Sequence, residues 1–163
     1  YNRTNEGKPL KEDKSKRDEL LTRYFHEHHR VLTNQVRESL EFTGSALILD
    51  CHSFPQHPLS YELDQAPVRP QICIGVDEFH TPDRLTQSLT SLFSTEGLTV
   101  AINAPFRGSI VPMDYYQTEQ QVQSVMIEVR RDIYMNESTG KKTQNFSEMQ
   151  RLIQSATALL RDD

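Results

Sequence analysis

Asp50-Cys51-His52-Ser53 follows the apolar run Ala46-Leu47-Ile48-Leu49, and Phe54-Pro55 closes it. Apolar residues leading into an acid and a histidine describe a buried strand that delivers polar groups to a sheet edge. Side chains alternate along a strand, so Asp50 and His52 share one face and Cys51 takes the other. A histidine so placed, with a carboxylate two residues before it, suits a metal ligand or a catalytic base. It equally suits a hydrogen-bonded histidine at a strand end, and on these residues alone both readings stand.

Glu128 is a second candidate. It lies between Ile127 and Val129 in a strand-like run. A carboxylate there is costly to bury unless it is paired or placed at a site mouth. Arg130 and Arg131 offer a structural ion pair; otherwise Glu128 suits a general base with its pKa raised by its surroundings. Asn103 and Arg107 flank Pro105 and precede Gly108, which fits plain turn chemistry. They also fit a loop rim where Arg107 clamps a carboxylate with two parallel hydrogen bonds. His26-Glu27-His28-His29 lies in a helical pattern. His26 and His29 have the spacing of a two-histidine helical site, but His29 also falls on the Phe25-Leu32-Val36 stripe and is expected to be packed or turned to substrate. His57 and His80 read as solvated loop histidines. Ser53 and Ser109 lack a nucleophile-elbow pattern. Asn2 and Arg3 read as a frayed terminus.

The elements that would position these groups follow from periodicity. Leu20 to Leu40 carries apolar residues at helical spacing, which predicts a long helix over about 16–42, started by Ser15 with Asp18 and stopped at Gly44. Strands are predicted at 46–54, 72–76, 98–102 and 122–129. Thr81-Pro82-Asp83 predicts a helix start, with Leu85, Leu89, Leu92 and Phe93 as its buried stripe and Gly97 as its end. Ser147 is expected to cap a last helix with a stripe at Leu152, Ile153, Ala156, Leu159 and Leu160. The order helix, strand, strand, helix, strand, strand, helix predicts a single α/β domain over 1–163. Its sheet is mixed and largely parallel, layered between helices. The four prolines of 55–70 predict a loop, a candidate to border the site.

The totals narrow the function. A chain of 163 residues with 36% hydrophobic content can build one core. The net charge of −5 carries no basic cluster, which argues against nucleic acid. No apolar run has the length of a membrane span. Two cysteines in apolar runs suggest buried free thiols and a reducing, cytoplasmic setting. No glycine-rich phosphate loop is present.

Taken together, several stretches resemble the N-formylglutamate amidohydrolase family, whose fold is similar to that of zinc carboxypeptidases. They are Asn2-Arg3; Tyr24, His29 and Leu32; Asp50-Cys51-His52-Ser53; Pro70 to Gly75; Asn103 to Gly108; and Ile127 to Tyr134. Their order and spacing cover nearly the whole chain up to Tyr134. The resemblance implies a zinc cofactor, with His52 as the third zinc ligand and Glu128 as the general base that activates water. It implies that Asn2 and Arg3 bind a substrate carboxylate and that Asn103 and Arg107 line the same pocket. Asp50 and His29 become supporting groups around His52.

In that family the other two zinc ligands, a histidine and a carboxylate, precede the Asn-Arg pair. The chain is therefore expected to be the C-terminal part of a larger amidohydrolase domain. Gln71 departs from the family pattern, which usually has an aspartate there. The implied reaction is zinc-dependent hydrolysis of a small N-formyl or N-acyl amino acid, above all N-formyl-L-glutamate to formate and L-glutamate. The alternative from a different class is a non-catalytic α/β module that binds an acidic amino acid or peptide after loss of the metal.

Overall fold

The computed structural model describes residues 4, 8, 9 and 15–162, with the side chains of 161 and 162 left aside. Asn2 and Arg3 lie outside the described residues. The first helical segment runs from α1 (Arg17–Leu20) through a π-helical stretch (Leu21–His26) into α2 (Glu27–Thr43). Then come β1 (Ala46–Phe54), β2 (Ile72–Gly75), α3 (Asp83–Thr95), β3 (Val100–Ile102), β4 (Val122–Arg130), a 3-10 turn (Arg131–Ile133) and α4 (Phe146–Asp162).

The sheet order is β1-β4-β2-β3. β1 and β4 are parallel, as are β2 and β3, and the two pairs meet antiparallel at β4 and β2. The expected mixed, mainly parallel sheet is present. Its strand order is information that periodicity does not carry.

Both faces of the sheet are covered. On one face Ile72, Ile74, Val125, Ile127 and Val129 pack against Leu85, Leu89 and Phe93 of α3 and Leu152, Ala156 and Leu160 of α4. On the other, Val36 of α2 meets Ala46 and Val122, flanked by Leu32, Leu40 and Ile48. The loop after β3 completes that second cover. Its Phe106 carbonyl accepts a bond from Cys73 Sγ at 3.1 Å, and its Ile110 carbonyl accepts one from Ser124 Oγ at 2.8 Å. Gly75 lies beneath it, and a Cβ there would overlap the Gly108 carbonyl oxygen and the Met126 side chain. Only glycine admits so close a backbone approach.

Several expectations are corrected. β1 is an edge strand, not a buried one, because β4 takes the central place with six consecutive buried residues. Cys51 is consequently exposed, whereas Cys73 is buried as expected. The first helix leaves Leu20, Tyr24, Phe25 and Val31 largely exposed, and Val36 is its one buried residue. Its π-helical stretch carries more residues per turn, which rotates the stripe before it out of line with the stripe after it. Lys16, not Ser15, stands at the first N-cap, and no side chain bonds there. Gly44 ends the helix in the left-handed conformation, as expected. Thr81 is not the cap of α3: its hydroxyl donates to the Ser124 carbonyl at 2.5 Å and accepts from the Asp77 amide. α4 begins at Phe146, one residue before the expected cap Ser147.

His80 is fully buried rather than solvated. Its Nδ1 pairs with the Val122 carbonyl at 2.7 Å, and its Nε2 accepts from the Gln117 amide at 2.9 Å. This histidine ties the segment before α3 to the start of β4.

Candidate active site

His52 and Glu128 are register partners on β1 and β4. Parallel strands lie about 4.8 Å apart and their register partners point to the same side, so the two groups share one face. Cys73 is the antiparallel partner of Glu128 on β2. The acid therefore sits on the central strand with the imidazole on one flank and the buried thiol on the other. Alternation along β1 brings Asp50 and Phe54 to the same face.

Asp50 holds the ring of His52. Its Oδ1 lies 2.7 Å from His52 Nε2, which leaves Nδ1 as the nitrogen that Asp50 does not engage. A carboxylate on one ring nitrogen fixes the tautomer and the orientation of the ring. The His52 side chain is half exposed, so that second nitrogen has room for a ligand.

Glu128 is 8% exposed, and its Oε2 is buried with no hydrogen-bond partner. The structural ion pair is not made. Arg130 is taken by both oxygens of Asp132, at 2.7 and 3.2 Å, and Arg131 donates to the hydroxyl and carbonyl of Ser53. Among the described residues no ion pair involves Glu128. Burial pushes its carboxyl above the ordinary carboxylate range, the charges of Asp50 and Glu62 push it the same way, and His52 and Arg131 pull it down. A carboxylate with a raised proton affinity and an unpaired oxygen, beside a held imidazole, suits a group that takes up and returns a proton.

The remaining expected residues divide. Asn103 sits at φ 54, a conformation asparagine tolerates. Its carboxamide oxygen accepts from the amides of Val76 at 2.9 Å and Gly108 at 3.2 Å, so this side chain shapes the loop. The Ala104–Pro105 bond within that loop is cis. Arg107 is exposed on the same loop, and its guanidinium is open to a ligand. His29 is half buried, edge-on to Phe25 at 4.3 Å. With α2 antiparallel to β1 across Gly44, rises of about 1.5 Å per helical residue and 3.3 Å per strand residue place both His29 and His52 roughly 20 Å from that turn. Gln71 is spent on the amide of Thr99 at 3.0 Å, where it joins the starts of β2 and β3.

Two residues were not found from sequence. Arg69 and Glu62 form a buried ion pair in the loop after β1, with side chains 1% and 8% exposed. Neither belongs to a periodic pattern, and only the proximity of Arg69 to the second strand hinted at burial.

A zinc site needs three protein donors and an open position. His52 fits one donor. Among the described residues no three His, Cys, Asp or Glu side chains are arranged to hold a metal ion, and His26 with His29 makes no such site. A cleft of about 720 Å³ opens beside the edge of β1, where Cys51, His52 and Ser53 meet Phe146, Met149 and Ile153 of α4. No aspartate or glutamate lines it, and Glu128 lies on the other face of the sheet. No described helix is long and apolar enough to cross a membrane.

Comparison with known proteins bears on the fold and the family. The chain superposes on the crystal structure of N-formylglutamate amidohydrolase from Ralstonia eutropha JMP134 with a TM-score of 0.74 and 24% identity, over 90% of this chain and 56% of that one. It also superposes on the gene product Atu2144 from Agrobacterium tumefaciens with a TM-score of 0.61 and 18% identity, over 99% of this chain and 62% of that one. At these identities the likeness establishes a shared fold, and the chain spans about three-fifths of the length of either structure. No curated protein matches it. The family model for N-formylglutamate amidohydrolase matches residues 1–135, a span that takes in Asp50, His52, Asn103, Arg107 and Glu128, and the chain belongs to that family.

Proposed function

We propose that this chain carries the acid–base half of a zinc-dependent amidohydrolase acting on N-formyl or N-acyl amino acids. N-formyl-L-glutamate, cleaved to formate and L-glutamate, is the foremost substrate. The observation that carries the reading is the buried, unpartnered Oε2 of Glu128 on the same face as the Asp50-held His52. Family membership supplies the reaction class.

In this reading Glu128 accepts a proton from the attacking water and delivers it to the departing amine nitrogen. Its raised affinity for a proton makes it a stronger base than an ordinary carboxylate. His52, oriented by Asp50, provides one metal donor through Nδ1, and the described residues do not provide the others. A zinc ion, when bound, would polarise the amide carbonyl and acidify water. Arg107 receives a substrate carboxylate at the rim, joined by Asn2 and Arg3, while Asn103 shapes the loop that carries Arg107.

Glu128→Gln in the protein should lower turnover of N-formyl-L-glutamate by about 10²–10⁴-fold while zinc content is unchanged. His52→Ala should lower zinc content itself. Full activity of Glu128→Gln would overturn the assignment. One observation favours a second reading: the described residues lack three assembled metal donors. A non-catalytic module would bind glutamate or an acidic peptide with equal affinity with and without added zinc, and would turn over neither.

A further inference from the structure

Arg69 is the most constrained cation among the described residues. Its guanidinium carbon lies 5.5 Å from the centroid of the Phe54 ring and 5.6 Å from that of Phe106. Those two rings meet edge-to-face at 5.5 Å. Nη1 donates to the Pro55 carbonyl at 3.2 Å, and Nη2 pairs with the Glu62 carboxylate and reaches the Asp64 carbonyl at 3.4 Å. The backbone carbonyl of Arg69 accepts from Arg130 Nη1 at 2.5 Å. One residue thus joins the end of β1, the loop after it, the loop after β3 and the end of β4. Two of these segments belong to β1 and to β4, the strand that carries Glu128.

The interior could be filled more simply. Nε of Arg69 is buried without a partner, and a buried ion pair is often replaceable by apolar side chains without loss of stability. Only a planar guanidinium stacks on two rings while forking to a carbonyl and a carboxylate. The ring it stacks on, Phe106, precedes Arg107 directly, and Cys73 Sγ fixes the Phe106 carbonyl from below.

We infer that Arg69, charge-balanced by Glu62, is a positioning residue for substrate: by holding Phe106 it sets where Arg107 meets the substrate carboxylate. The substrate role of Arg107 rests on the proposed function; the hold on the loop does not. The test variant replaces both partners, Arg69→Met with Glu62→Leu, so that neither charge is left buried alone. With N-formyl-L-glutamate, KM should rise at least tenfold while kcat stays within threefold. In an Arg107→Ala background the same pair of substitutions should change KM by less than twofold, because the residue it acts through is gone. Additive effects, or a fall in kcat at constant KM, would overturn the inference.

Hydrogen exchange judges the loop separately. Amides of residues 103, 104 and 106–108 should exchange at least tenfold faster in the double variant while those of β4 keep their wild-type rates. Unchanged loop exchange, or equal acceleration in β4, would overturn the inference too. A wild-type chain inactive on every N-acyl amino acid would instead defeat the proposed function, and the exchange result would still decide the role of Arg69.

Discussion

Glu128 shows what a single residue discloses and withholds. Its type and its apolar neighbours mark it as anomalous in the sequence, because a lone acid inside a strand needs a reason. The sequence could not choose between an ion pair and a base, since two arginines follow within three residues. The structure assigns Arg130 to Asp132 and Arg131 to Ser53, which leaves Glu128 without an ion pair among the described residues. A stability signature follows. Burial raises the folded-state pKa of Glu128 above its ordinary value of 4.5. Between that value and the raised one, the folded protein binds more protons than the unfolded chain, so this group's contribution to stability falls as pH rises through the window. Glu128→Gln should therefore raise Tm at pH 7 to 8, with the gain disappearing near pH 4, as followed by thermal melts across that range. His80 is the opposite lesson. Its burial depends on a carbonyl 42 residues later in the chain, and no local pattern announces such a partner.

The elements were largely legible, and their boundaries less so. All four strands and the main helices lie where periodicity placed them, because alternation and helical spacing are written locally. Gly44 caps its helix as expected, whereas Thr81 bonds to Ser124 and the segment before it, so a distant partner drew this capping residue away from its helix. The loop after β3 read as turn chemistry, and Asn103 does perform that task. That this loop lies across the sheet was invisible, although Gly75 is the trace it leaves in the sequence. Gly75→Ala would force the Gly108 carbonyl and the Met126 side chain apart. It should destabilise the protein by about 1–3 kcal/mol, as overpacking does, and should raise KM more than kcat because the Arg107 loop is displaced. Denaturant melts and steady-state kinetics on the purified variant would check both effects.

At the scale of the molecule, fold class and family were readable because matching stretches are spread from the start of the chain to Tyr134. Strand order was not, since pairing between distant segments leaves no local pattern. That order has a kinetic consequence. β2 and β3 are near neighbours in the chain, joined through α3, whereas Ala46 of β1 must find Val122 of β4. Closing the longer loop costs more entropy and comes later. β4 then inserts between a strand made early in the chain and a pair already formed, and it carries Glu128 into the gap. The active face should therefore be the last part of the protein to mature. In refolding from denaturant, helical far-UV dichroism should recover ahead of catalytic competence, and the interval between the two should lengthen when β4 is weakened by Val125→Ala. Simultaneous recovery would show that the sheet closes in one step.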